Sequence, residues 1–139
     1  MQISEEKVEF KDKKQRILVV EDIEINRMLT KTVLTEAGFE VECVSDGSAA
    51  VMTVANKPEN YYSAILMDIH MPVMNGYEAT RAIRALNRKD VFSIPIIALT
   101  SNSLIDDRIE SFKNGINEHL VKPFDAKNLV AVLNKYLSH

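Results

Sequence analysis

Ile17-Leu18-Val19-Val20-Glu21-Asp22 joins four consecutive apolar residues to two acids. An unbroken, β-branched-rich run of that length fits a strand covered on both faces better than one with a face open to water. The next apolar residues, Ile25, Met28, Leu29, Val33 and Ala37, recur at three- and four-residue steps and predict an amphipathic helix, with Gly38 placed where a helix end takes a left-handed residue. The alternation then repeats. Val41-Glu42-Cys43-Val44 reads as a second strand, Ser45-Asp46-Gly47 as a turn and cap, and Ala49 to Ala55 as a short helix before Pro58. Ala64-Ile65-Leu66-Met67 is a third strand ending at Asp68, and Pro72 and Gly76 frame a loop before a helix with Tyr77, Ala79, Ile83 and Leu86. Ile94 to Leu99 is a fourth strand with Pro95 near its start. Leu104, Ile105, Ile109 and Phe112 mark a fourth helix, closed by Asn114-Gly115. Glu118 to Val121 is a short fifth strand, and Leu129, Val130, Val132, Leu133, Tyr136 and Leu137 complete a last helix.

Five strands alternating with five helices predict an α/β fold, a doubly wound parallel sheet with helices on both faces. Such sheets carry their chemistry beyond the carboxyl ends of the strands. Four of the five strand ends deliver a polar group there: Glu21 and Asp22, Asp68, Thr100 and Lys122. Three carboxylates at one edge repel, and one would take up a proton unless cations compensate them. The Lys122 ammonium offsets one charge and a bound Mg2+ would offset the other two, using the oxygen ligands that ion prefers. An ionised Asp68 is then a competent nucleophile for a phosphoryl group, whose anionic oxygens Mg2+, Lys122 and Thr100 would surround.

The 139 residues amount to one domain, and 46% hydrophobic residues suffice for a core. No run approaches the roughly 20 apolar residues of a membrane span. Residues 1–15 are charge-mixed and aperiodic, which predicts a linker or flexible extension before a domain over 16–139. One cysteine, Cys43, permits no internal disulfide and favours a reducing, cytoplasmic setting. A net charge of −3 with no basic block argues against charge-driven nucleic-acid binding.

The strings Ile17-Leu18-Val19-Val20-Glu21-Asp22, Leu66-Met67-Asp68-Ile69-His70-Met71-Pro72-Val73-Met74-Asn75-Gly76, Ala98-Leu99-Thr100 and Val121-Lys122-Pro123-Phe124 stand in the order and register of one family. From Arg16 to His139 the chain resembles a response-regulator receiver domain of two-component signalling. That resemblance implies a flavodoxin-like strand order of 2-1-3-4-5. It implies Asp68 as the phosphoacceptor for a histidine kinase phosphohistidine, Asp22 as the direct Mg2+ ligand with Glu21 assisting through water, and a metal contact from the His70 backbone carbonyl. Thr100 would be the switch hydroxyl, and Lys122 the lysine that pairs with the phosphoryl group, followed by a cis Lys122–Pro123 peptide. Asp22-Ile23-Glu24-Ile25-Asn26-Arg27 and Gly76-Tyr77-Glu78-Ala79-Thr80-Arg81 are similar to receivers of hybrid sensor kinases. The implied partners are therefore a kinase phosphohistidine domain and a histidine phosphotransfer domain, with Ile25 and Met28 on the docking face. The domain itself would catalyse only its own phosphorylation and dephosphorylation.

Two positions depart from the family pattern. Glu21 stands where aspartate is commoner, and His119 where an aromatic switch residue is usual. His119 either performs the rotamer switch with added pH sensitivity or marks a chain that signals without it. Asn102 and His70 lie where family members tune hydrolysis. Taken singly, the polar residues have plainer readings: Glu21 and Asp22 as a helix-start acid pair, Thr100 as a loop residue, Lys122 as a solvated lysine, Cys43 and the methionines as packing. The competing functions are a degenerate receiver binding partners without phosphorylation, an aspartate-nucleophile phosphatase and a flavin-binding domain. The intact acid set opposes the first; His70, where such phosphatases carry a second acid, opposes the second; the acidic edge opposes the third.

Overall fold

The computed structural model describes residues 15–101 and 105–137. In chain order these form β1 (Arg16–Val20), α1 (Glu24–Glu36), β2 (Glu40–Val44), α2 (Gly47–Ala55), β3 (Ala64–Asp68), α3 (Gly76–Arg84), a single 3-10 turn (Asp90–Phe92), β4 (Ile96–Thr100), α4 (Ile105–Lys113), β5 (Glu118–Val121) and α5 (Ala126–Leu137). The strands make one sheet in the order β2-β1-β3-β4-β5, every pairing parallel. The fold class and strand order are those expected. Among the described residues no helix is long and apolar enough to cross a membrane.

Successive strand residues point to opposite faces, so each apolar run feeds two cores. Leu18, Val20, Ile65, Met67, Ile96 and Ala98 meet Ala50 and Val54 of α2 and Ala79 and Ile83 of α3. Ile17, Val19, Leu66, Ile97 and Leu99 meet Leu34 of α1 and Leu129, Leu133 and Leu137 of α5. Leu34, Leu129 and Leu133 are almost wholly buried, and each contributes roughly 2 kcal/mol by leaving water. Helix ends follow local chemistry. Asp46 caps α2 by accepting from the Ala49 N–H at 2.7 Å. Asn75 and Glu78 form a reciprocal capping box on α3. Gly38 (φ +101°) and Gly115 (φ +95°) take left-handed conformations after α1 and α4.

Arg84, on α3, closes the loops at the amino ends of β4 and β5. Its guanidinium donates to the carbonyls of Val91 (2.7 Å), Ile94 (2.8 Å) and Gly115 (2.7 Å). At the same sheet edge Tyr61 and Tyr62 both donate to the Glu42 carboxylate, at 3.0 and 2.6 Å. The amide of Gln15 donates to the Leu137 carbonyl at 3.3 Å, so the two ends of the described chain touch.

Two of the expected helices turn part of their apolar stripe to solvent, and one strand boundary moves. The α1 stripe is not a core stripe along its length: Thr30 and Leu34 are buried, whereas Ile25, Met28 and Leu29 are more than half exposed. On α4, Ile109 and Phe112 face solvent while Ser111 is buried. β4 begins at Ile96 because Pro95 has no N–H to donate; its carbonyl still accepts from Ile65 N at 2.9 Å. The expected extension over 1–15 (apart from Gln15), and Asn102 and Leu104, lie outside the described residues.

Candidate phosphoacceptor and cation site

Parallel pairing sets the carboxyl ends of β1, β3 and β4 side by side: Val20 pairs with Met67, and Asp68 with Leu99. The last residue of β3 and the two residues that follow β1 therefore reach one rim. Glu21, Asp22 and Asp68 each place a carboxylate oxygen there, all within 4.8 Å of one another. Glu21 is 1% and Asp68 3% exposed. Carboxylates so buried require partners.

Glu21 has a partner for every polar atom named here. Its N–H donates to the Val44 carbonyl at 3.2 Å, and its carbonyl accepts from Arg27 Nη1 at 2.9 Å. Its Oε2 accepts from the Ile23 N–H at 3.2 Å and its Oε1 from Lys122 Nζ at 3.0 Å. Lys122 also lies 3.5 Å from Asp68 Oδ1, which accepts the His70 N–H at 3.3 Å. Burial, foremost, and the neighbouring Glu21 charge push the Asp68 carboxyl up to about 7; Lys122 and the His70 N–H pull the other way without cancelling them. Asp22 differs. Its Oδ1 is buried and accepts no hydrogen bond from any described residue.

Thr100 ends β4 and is buried, and its carbonyl accepts from the Lys122 N–H at 2.6 Å. The Lys122–Pro123 peptide is cis. His70 is exposed just past β3. His119 sits on β5 opposite Ala98, away from the acids, with Nε2 2.5 Å from Ser111 Oγ; that hydroxyl also lies 3.1 Å from the Tyr77 hydroxyl. The structure thus brings Glu21, Asp22, Asp68 and Lys122 to one rim with Thr100 at the adjoining strand end, and sets His119 along a separate chain joining β5, α4 and α3.

Two contributors were not singled out for the site from sequence. Gly76 is one: a Cβ there would stand 2.4 Å from the Asp68 carbonyl oxygen and 2.8 Å from Ile69 Cα, so only glycine lets α3 start against the peptide of Asp68. The glycine after a Pro-framed loop was the available signal. Arg27 is the other, legible only as part of a motif. Beside the rim an apolar groove of about 520 Å3 runs between α1 and α5, lined by Leu29, Val33, Pro123, Phe124 and Leu129.

Buried oxygen donors with one unpartnered carboxylate oxygen suit a hard divalent cation, and the buried Asp68 beside Lys122 suits capture of an anionic group. Known proteins share this fold and much of this sequence. The receiver domain of the sensor histidine kinase PA1611 of Pseudomonas aeruginosa, solved with magnesium in its active-site cleft, is 38% identical and superposes with a TM-score of 0.81 over 91% of this chain and all of that one. The chemotaxis protein CheY4 of Vibrio cholerae is 30% identical, with a TM-score of 0.83 over 90% of this chain and all of that one. Hybrid signal transduction histidine kinase I of Dictyostelium discoideum is 37% identical over 86% of this chain, and sensor protein GacS of Pseudomonas syringae 35% over 87%. The chain spans only 7% and 13% of the length of those two relatives. The model of the response regulator receiver domain matches residues 17–134, and the chain belongs to that family.

Proposed function

We propose that this chain, with residues 16–139 as the receiver unit, is a phosphoacceptor in a two-component phosphorelay. The observation that carries the reading is the convergence of Asp68 with Glu21, Asp22 and Lys122 at one buried rim. Asp22 and Asp68, with Glu21 through water and the His70 carbonyl, would hold Mg2+. That ion supplies positive charge to the carboxylates and to the phosphoryl oxygens. The unpartnered Asp22 Oδ1 fits this assignment.

The ionised Asp68 carboxylate attacks the phosphorus of a kinase phosphohistidine. The P–N bond breaks, its electron pair returns to the imidazole, and an aspartyl phosphate forms. Lys122 leaves its pairing with Glu21 to meet the new phosphoryl charge. Thr100 supplies a hydroxyl from the adjoining strand. The change passes to the surface through β4 and β5, where His119 and Ser111 link β5 to α4, or the group passes on to a histidine phosphotransfer domain. The exposed Ile25, Met28 and Leu29, continuous with the apolar groove, form the face on which either histidine-bearing partner docks. The kinase identity of the relatives supports that choice of partner.

The test is acetyl phosphate with Mg2+, followed by intact mass. One phosphoryl adduct, lost in Asp68→Asn, is expected; an adduct retained by that variant overturns the proposal.

A further inference from the structure

We infer that Arg27 is a positioning residue: its guanidinium fixes the Glu21 carbonyl so that the Asp22 carboxylate faces Asp68, and it thereby sets the divalent-cation affinity of the rim. The inference rests on the reading of the three acids as a cation site.

Arg27 grips the β1–α1 turn at two points. Its Nη1 donates to the Glu21 carbonyl at 2.9 Å, and its backbone N–H donates to the Ile23 carbonyl at 3.0 Å. The turn lacks the usual device for holding such a junction, because the N-cap residue of α1 is Ile23, which makes no side-chain cap. With its N–H, carbonyl and both carboxylate oxygens engaged, Glu21 is a fixed post. Asp22 hangs from that post with Oδ1 unpartnered. Its aim is set by the Glu21–Asp22 peptide plane, and Arg27 is the side chain that holds the carbonyl of that plane.

Electrostatics gives the idea a sign. A fixed cation near a cation site weakens that site by repulsion. If Arg27 contributed charge alone, removing it would tighten cation binding. If it positions Asp22, removal weakens binding although a repelling charge has gone. Losing a support one step behind a metal ligand costs roughly tenfold or more in metal affinity.

The experiment titrates the chain with Mn2+, read by electron paramagnetic resonance, in the parent and in Arg27→Met, Arg27→Gln and Arg27→Lys. Thermal melting checks the fold, and amide exchange at Ile23 is followed without metal. Arg27→Met is expected to bind Mn2+ roughly tenfold more weakly and to exchange faster at Ile23. Arg27→Lys, which keeps a donor on a long stem, is expected to recover most of the loss, whereas Arg27→Gln, whose amide ends two bonds short of the Nη1 position, is expected to bind as weakly as Arg27→Met. Equal or tighter binding in Arg27→Met at an unchanged melting temperature overturns the inference and leaves the phosphoacceptor reading standing. Should Arg27→Met not fold, tighter binding in Arg27→Gln overturns it in the same way. A parent that binds no Mn2+ overturns the cation site itself, and this inference with it.

Discussion

Lys122 and Glu21, 101 residues apart in sequence, form an ion pair with Nζ 3.0 Å from Oε1. The same ammonium stands farther, 3.5 Å, from Asp68. The longer acid at position 21 therefore draws the lysine toward β1 and leaves the central aspartate under-compensated. Lys122 is thus shared unequally between the two acids, nearer to Glu21 than to Asp68.

A pH dependence follows from the Asp68 carboxyl, raised from 3.8 to about 7. Because the folded state holds this proton more tightly than the unfolded chain, stability is greatest below about pH 4 as far as this group is concerned. It declines as pH rises toward 7 and is flat above, a loss on the order of 4 kcal/mol. Asp68→Asn is expected to remove that slope and to melt higher than the parent at pH 8 without divalent ions. Calorimetry at several pH values between 4 and 8 reads the difference; parallel curves for the two proteins would refute the assignment. In Lys122→Met the Asp68 titration moves upward, since an opposing positive charge is gone. Divalent cations move it downward, with proton release measurable by titration in buffers of different ionisation enthalpy.

Gly76→Ala tests the closeness of α3 to Asp68. The added methyl meets backbone atoms of Asp68 and Ile69, which cannot swing aside as a flexible side chain could. A loss of about 2 kcal/mol in urea unfolding is expected, with phosphoryl uptake impaired in the fraction that folds. Full stability would mean that the loop yields freely.

Arg84→Met probes the opposite edge. The guanidinium is the donor to three loop carbonyls, and its removal leaves them short of partners in a partly enclosed place. About 3 kcal/mol of destabilisation is expected, with cation affinity per folded molecule unchanged. Altered affinity would reveal coupling between the two edges.

Ile25→Asp addresses docking. The side chain is 57% exposed, so stability is expected to stay within about 0.5 kcal/mol. Transfer from a phosphohistidine donor slows, whereas labelling by acetyl phosphate and Mg2+ binding do not change. Stopped-flow transfer at the parental rate would remove α1 from the docking face.

The sheet was legible because β1, β3 and β4 carry continuous apolar runs, and because four of the five strand ends deliver a polar group. Asp68, Glu21 and Asp22 could be placed at one rim from topology alone, since parallel pairing aligns strand ends. What periodicity cannot supply is the identity of the cover. Ile25, Met28 and Leu29 repeat as a core stripe does, yet α1 packs on the sheet through Thr30 and Leu34 and lines the α5 groove with Leu29 and Val33. Phe112 misleads in the same way, since the neighbouring Ser111 is taken inward by hydroxyl contacts with His119 and Tyr77. Arg27, Arg84 and the Glu42 pairing with Tyr61 and Tyr62 were hidden for another reason. Their partners are carbonyls or side chains set by tertiary placement, on which local pattern is silent.

The hydrogen bond between Gln15 and Leu137 gives the molecule a single doorway. Arg16, which opens β1, and Leu137, which closes α5, both lie at the end of the sheet remote from the acids, about five strand residues or roughly 16 Å away. A host polypeptide interrupted at one surface loop could therefore take in residues 15–137 as a graft, its two cut ends barely separated and the reactive rim turned outward.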